Sequence, residues 1–517
     1  MNHKHHTGCC GCSTHGIDRR TFFAAIGGSA AGASLLSGCA TTGATDVAAA
    51  PRVKPVRATK TLIVQPVLSC SIAERQEMTS WRGWGGLHSM EDINAEMGKI
   101  GEELNAMKAK AEFPMELRPL VKSMEEGDAK PLVEGDADVM LIYGAAGQIE
   151  PLISGKRSNI VFVRHQTGPA YLWYEIVSPR LIRKTVDEFG QPGLLPEDVV
   201  VDDYGDLLWR LRALYGLKNT VGSKIVCIGG ASGWGEGGQK APQACRDIWK
   251  MDLKNFSYDE LGRRIQSANN DPARVRRAVE DAAEYLNGAG VKLETGREYV
   301  ERAFLLTQVF EDILAEEQTQ AITVNNCMST IMPMSKTTAC LTLSLLNDSG
   351  ALAFCESDFV VIPSGILLHH ISQLPVFLND PTYPHHGKIT LAHCTAPRRN
   401  NGKDLDEVLI TTHFESDFGA APKVAMKLGQ KVTVIDPDFN NKRWIGFTGE
   451  VLDNPFLDIC RSQVDVSIEG DWKLLAQDMV GFHWMMSYGD HLREFGYALR
   501  KTGIGWLNLT ANQTIEA

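Results

Sequence analysis

The stretch that decides the fold is TTACLTLSLLNDSGALAFCESDF, residues 337–359. TTACLTLSLLND (337–348) reads as a helix and ALAFCESDF (351–359) as a buried strand. The segment AITVNNC (321–327) just upstream reads as another strand. Strand, helix and strand in succession point to α/β layering around a largely parallel sheet. Glu356 and Asp358 follow the apolar part of their strand, so the sequence puts them at its carboxyl end. Alternation then sends both to one side of the pleat. Ligand sites of α/β proteins lie at that end. Two carboxylates on one side repel, and a divalent cation or a shared proton relieves the repulsion. The plain alternative is a solvated strand end carrying two surface acids.

The same alternation extends outward. Upstream, SKIVCIGGASGWGEGGQ (223–239) is an apolar strand running into a glycine-rich loop, and it opens a second α/β block. Such a loop can bring backbone N–H groups to an anion or a sugar hydroxyl, although it lacks the order of a P-loop or dinucleotide fingerprint. A plain strand-to-helix turn is the competing reading. DPARVRRAVEDAAEYL (271–286) has Asp271 as N-cap and Pro272 at the first helical position, and a long helix covers about 298–317. Nearer the N-terminus, TLIVQPVL (61–68), ADVMLIYG (137–144) and NIVFVRH (159–165) read as strands. The segment 89–112 reads as a helix with Met90, Ile93, Met97, Ile100, Leu104 and Met107 on one face, and 207–217 as another helix. After about residue 385 the character changes. KITLAHCTAP, EVLITTHF, KVAMKLGQKVTVIDP, RWIGFTGEVL and CRSQVDVSI are short β-runs of a barrel or sandwich. Helices near 471–479 and 490–501 close the chain.

At 517 residues with 44% hydrophobic and 22% charged side chains, the chain is long enough for two or three domains with real cores. Its net charge of −11 argues against a general nucleic-acid binder. Twelve cysteines are present, but Cys9, Cys10, Cys12 and Cys39 precede the globular part, and the rest are too irregularly spaced for a disulfide scaffold.

The first residues are read separately. IDRRTFFAAIGGSAAGASLLSGCA (17–40) places Arg19 and Arg20 before a short apolar run that ends in LSGC. The arginine pair resembles a twin-arginine export signal, and LSGC resembles the lipoprotein cleavage box in which the cysteine, here Cys39, is lipidated. The run is too short and glycine-rich for a membrane span of about 20 residues. The expectation is an exported periplasmic or cell-envelope lipoprotein that meets the membrane through its lipid anchor only. MNHKHHTGCCGCSTHG (1–16) is rich in His and Cys but has no recognisable metal-site spacing. Residues 40–58, rich in Ala and Thr with Pro51 and Pro55, read as a flexible tether.

Two other stretches carry potential chemistry. GFHWMMSYGDHLREFG (481–496) sets His483 among aromatic and apolar residues, and LAHCTAP (391–397) sets His393 and Cys394 in a β-run. A satisfied core histidine is the ordinary reading of each, and no signature of an activated Cys/His nucleophile accompanies the second.

Taken in order, IVCIGGASGWG with LGRRI (261–265), then FCESDF, then FHWMMSYGDHLREFGYALRKTGI, resemble the L-fucose isomerase family of aldose–ketose isomerases, over most of residues 60–510. The resemblance implies two doubly wound α/β domains (60–218 and 219–350) and a C-terminal domain with a β-barrel segment (351–517), behind a leader (1–39) and tether (40–59). It further implies a homo-oligomer and a divalent metal, manganese by family. Asp358 falls where the family has a metal-binding Asp, and His483 where it has a metal-binding His. The family's third ligand, a Glu at the start of the preceding helix, is replaced by Cys340, which favours zinc or iron, with Glu356 the third donor if the ion is manganese; the Asn before the metal His is replaced by Phe482. Isomerisation moves a carbonyl from C1 to C2 through an ene-diolate, so it needs a cation to stabilise charge and groups to shuttle protons. On this reading Asp358 and Glu356 are catalytic, Asp358, His483 and Cys340 bind metal, and Asn326 and His393 meet a small sugar or polyol. The rival reading is a non-catalytic sugar-binding lipoprotein on the same scaffold, and a third is a thiol–metal redox protein using Cys340, Cys355 and Cys394.

Overall fold

The structure is a computed structural model, and it describes residues 59–515 apart from 84, 146 and 172–193. The expected leader, Cys39 and nearly all of the tether lie outside the described residues.

Apolar runs in the first third of the chain form β1 (Leu62–Ser69), β2 (Met115–Leu117), β3 (Val121–Ser123), β4 (Val139–Gly144), β5 (Ser158–Val163) and β6 (Val199–Val201). They pair in parallel in the order β2-β1-β4-β5-β6, with β3 also on β1. Both faces of β4 are buried, which is why it reads as continuous hydrophobic sequence rather than as an alternating pattern. The helix Met90–Lys108 starts at Ser89, whose side chain accepts the Asp92 N–H, and it buries Ile93, Ile100, Leu104 and Met107. Met90, expected on the same stripe, is the first helical residue and stays exposed.

Further along lie β7 (Lys224–Ile228), β8 (Asp252–Phe256), β9 (Val291–Leu293), β10 (Ala321–Val324) and β11 (Leu352–Phe354). All but β9 join a second parallel sheet, ordered β11-β10-β7-β8. Asp271 caps the helix Pro272–Leu286 by accepting the Ala273 and Arg274 N–H groups. Leu306, Val309, Phe310 and Ile313 of the helix Arg297–Glu316 pack with Ile322, Val324 and Leu343 to fill the core against this sheet.

The deciding stretch itself behaves differently from its sequence reading. Its helix begins at Ala339, and its strand stops at Phe354. Glu356 and Ser357 then take left-handed backbone angles, φ +64° and +49°. The pleat therefore does not reach the two acids, and a tight turn rather than strand alternation sets where they point.

The remaining strands are β12 (Phe377–Pro381), β13 (Lys388–His393), β14 (Glu407–His413), β15 (Phe418–Ala425), β16 (Lys431–Asp436), β17 (Arg443–Asp453), β18 (Ser462–Ser467), β19 (Trp484–Tyr488), β20 (Gly505–Asn508) and β21 (Gln513–Ile515). Six of them close an antiparallel barrel in the order β16-β19-β12-β13-β18-β17, with β17 returning to β16. Closure leaves no open edge. Val432, Val434, Phe447, Val464, Val466, Trp484 and Met486 belong to its buried core. Two of the β-runs expected in the barrel are elsewhere: β14 and β15 pair with β9 in a separate three-stranded sheet. Their places are taken by β12 and β19. The architecture is thus α/β with parallel sheets and a closed six-stranded β-barrel. Among the described residues, no helix is long and apolar enough to cross a membrane.

Candidate metal centre

The carboxyl ends of β7, β10 and β11 open onto one cleft, and β12, β13 and β19 of the barrel supply its other side. A cavity of about 670 Å³ lies there, and Trp234, Asn326, Cys340, Glu356, Asp380, Cys394 and His483 are among its lining residues.

His483 stands just before β19 and is 1% exposed. Its Nδ1 is 2.7 Å from Oδ2 of Asp358. Asp358 is itself 1% exposed, and its other oxygen accepts backbone N–H groups of Trp234 (3.2 Å) and Val360 (3.0 Å). An acceptor-only carboxylate at Nδ1 requires a proton there, which leaves Nε2 to face the cleft. Metal-binding histidines are commonly oriented this way. The glycine-rich loop is part of the arrangement. Ser232 and residues 357–359 exchange backbone hydrogen bonds, so the loop is zipped to the turn that carries Asp358. Gly230 sits at φ +98°, and a Cβ on Gly233 would lie 2.0 Å from the Gly238 carbonyl oxygen, so the tight loop needs glycine at both places. At Trp234, the anion met by a loop N–H is the protein's own Asp358.

Glu356, His393 and His483 each present a ligand atom within 4.8 Å of the others, a set that can hold a metal ion. Glu356 lies 3.3 Å from His483 Nε2 and 3.7 Å from His393 Nε2, and Asp380 lies 3.2 Å from His483 Nε2. Two donors about 2.1 Å from one ion, at angles of 90–110°, stand roughly 3.0–3.4 Å apart. The 3.2 and 3.3 Å separations fall in that range and the 3.7 Å one lies beyond it, so a small closure of these groups would seat a shared cation. A second observation agrees. His393 Nε2, His483 Nε2 and Asp380 Oδ1 are buried and meet one another and Glu356 only at ion-pair distances of 3.2–3.7 Å, without a well-formed hydrogen bond, an arrangement that a shared cation would complete.

The electrostatics reflect the same crowding. Burial disfavours charge on His483, but Asp358 and Glu356 outweigh it and raise its pKa to about 10. Burial likewise opposes charge on His393, yet Glu356 and Asp380 carry it up to about 9. Burial also works against the Glu356 carboxylate, and the two imidazoles overcome it, holding Glu356 well below the ordinary carboxylate range. At Asp380 burial wins over the pull of His393 and His483, and its carboxyl is held above the usual range. A cation entering the site takes the place of the imidazole protons.

The expected residues occupy unequal positions. Glu356, His483 and His393 converge. Asp358 touches His483 but has both oxygens engaged within the protein, a supporting place rather than one on the cleft. Cys340, expected as a ligand, lies in the first turn of its helix with Sγ 3.3 Å from Cys394 Sγ, and Ala421 completes that buried cluster. The soft donor is thus directed at another thiol and stands outside the triad. Asn326 lines the cleft in a left-handed turn, φ +48°, and its side-chain oxygen accepts from Ser329 Oγ at 2.6 Å. Asp380, in LNDP of β12, was not singled out from the sequence; nothing there distinguishes it from a surface acid. Phe482, at the cleft mouth, stacks on Trp234 with ring centroids 3.6 Å apart and planes 9° from parallel. The sequence matches no protein-family model, and no curated protein matches it.

Proposed function

We propose that the chain is a metal-dependent aldose–ketose isomerase-like protein, similar to the L-fucose isomerases, acting on an open-chain sugar. The observation that carries this reading is the convergence of Glu356, His393 and His483, with two Nε2 atoms that complete no hydrogen bond, at the carboxyl end of a parallel sheet. One carboxylate and two imidazoles suit manganese, iron or zinc; the family resemblance favours manganese. The cation's contribution would be Lewis acidity toward the sugar carbonyl and the developing ene-diolate charge.

The chain's own residues divide the remaining work. Glu356, His393 and His483 hold the cation, and Asp358 fixes the His483 ring. Asp380 is our choice for proton transfer, because it lies on the cleft 3.2 Å from His483 Nε2 and burial holds its carboxyl above the usual range, whereas the two imidazoles hold Glu356 below it. Asn326 and the Trp234–Phe482 stack bound the substrate side. We also read residues 60–218 and 219–350 as two doubly wound domains ahead of a barrel-containing domain (351–517), the assembly as a homo-oligomer, and residues 1–39 as a twin-arginine lipoprotein leader. Replacing Arg19 and Arg20 by Lys should retain the folded protein in the cytoplasm; export of the variant ends that part.

The test of the reaction is incubation of the manganese-loaded full chain with a panel of aldoses in D2O. Ketose formation with deuterium at the exchanged carbon supports isomerisation, and Asp380→Asn should remove it when compared at equal metal occupancy. Cation-dependent sugar binding without turnover would instead make the protein a sugar-binding relative.

A further inference from the structure

The cleft has a second chemical feature that the proposed reaction does not use. Cys340 and Cys394, 54 residues apart, place their sulfurs 3.3 Å from each other, and both are free thiols. Each is 4% exposed, yet both line the cleft. One sits in the first turn of the helix Ala339–Asp348, and the other directly follows β13. With Ala421 they form a small buried cluster apart from the larger cores. A disulfide needs a sulfur–sulfur distance of about 2.05 Å, and the pair lies little more than an ångström from it. Cys394 also adjoins His393, with Sγ 3.9 Å from Nδ1.

We propose that Cys340 and Cys394 are a reversible dithiol–disulfide pair, oxidised by a small hydroperoxide entering the cleft, and that the bond weakens the adjacent cation centre by displacing His393. The chemistry balances. One thiol takes the terminal oxygen of hydrogen peroxide to give a sulfenic acid and one water. The second sulfur then attacks the sulfenyl sulfur, forming the disulfide and releasing the other water. Two thiols lose two electrons and two protons, and the peroxide is reduced to two waters. The bond would tie the helix Ala339–Asp348, which precedes β11, to the barrel beside one of the three cation donors. The disulfide claim stands independently of the isomerase reading; only its effect on the centre rests on that reading's metal site.

The experiment treats the reduced full chain with equimolar hydrogen peroxide and maps thiols by differential alkylation and mass spectrometry. Cys460, another free thiol that lines the cleft and contacts Cys394, is the competing partner. A Cys340–Cys394 link is expected, reversed by dithiothreitol, absent in Cys340→Ser and Cys394→Ser, and retained in Cys460→Ser. A Cys394–Cys460 link, over-oxidation of Cys394 without any link, or full retention of both thiols overturns the proposal. In parallel, Mn2+ binding by equilibrium dialysis should be at least about tenfold weaker in the oxidised form, the scale seen when a ligand's support is disturbed. Equal behaviour of the two forms overturns the coupling to the centre.

Discussion

Both larger parallel sheets carry a polar cluster at their carboxyl ends, wholly buried at its centre in the first and opening onto the cleft in the second, and the two are finished in different ways. In the first sheet, Arg164 follows β5 with a wholly buried side chain. Its guanidinium reaches Glu96 and Glu103, each at 2.5 Å, and Thr167 at 3.1 Å. Tyr171 donates to Glu96, and Tyr204 donates to Glu103 at 2.9 Å. None of these polar atoms lacks a partner. At the second sheet, Glu356 and, from the barrel, Asp380 face His393 and His483, and three buried atoms complete no hydrogen bond. The first cluster contains its own cation as a covalent part of the chain. The second has the acceptors and ring nitrogens of a cation site but no arginine or lysine at its centre. Burial of charge alone thus does not mark a functional site; what sets the second cluster apart is that several titratable groups converge there without completing their hydrogen bonds.

That contrast can be broken in order of expected effect. Arg164→Leu leaves Glu96 buried without its countercharge, and breaking a buried pair in this way costs about 3–5 kcal/mol. Denaturant unfolding should show that loss with no change in metal content; a near-neutral result would mean the closed cluster is not a structural element. The next effect is one of pH. Asp436, at the end of β16, accepts the Val480 and Gly481 N–H groups and so anchors the segment leading to His483. Burial pushes its carboxyl from 3.8 up to about 8, against those two hydrogen bonds. The folded state therefore holds a proton between about pH 4 and 8 that the unfolded state releases, and this contribution to stability falls as pH rises through that window. Urea midpoints at pH 5 and 8 should differ accordingly, and Asp436→Asn should reduce the difference; an unchanged difference would assign it to other groups. Smallest is Asp358→Asn, which disturbs the orientation of His483 without removing a donor. Metal affinity should fall about 10–100-fold, or about 1.4–2.8 kcal/mol, with little change in unfolding. Unaltered affinity would remove Asp358 from its supporting role.

Much of the fold was legible because parallel strands buried on both faces write themselves as apolar runs, as in β4 and β7, and because caps such as Asp271-Pro272 mark helix starts. The barrel was legible in kind but not in membership. Nothing local tells EVLITTH that it will pair with Val291–Leu293 instead of joining the barrel, since register and partner are long-range properties. At the site, Glu356 and His483 were singled out, and His393 was named for a different task. The argument from alternation failed because two left-handed residues end the pleat at Cys355. The division of labour between Glu356 and Asp358 was also hidden, since it depends on the glycine-rich loop reaching the Asp358 carboxylate from more than a hundred residues away. Asp380 had no local signal at all.

The central claim is that Glu356, His393 and His483 together hold a divalent cation, and direct binding tests it most simply. The chelator-stripped full chain is dialysed against Mn2+, and bound metal is counted by elemental analysis alongside Glu356→Gln and His393→Ala. The account predicts one ion per wild-type chain, and loss of that ion in both variants with their circular dichroism unchanged. Wild-type protein that binds no ion, or variants that bind it as well as wild type, would contradict it.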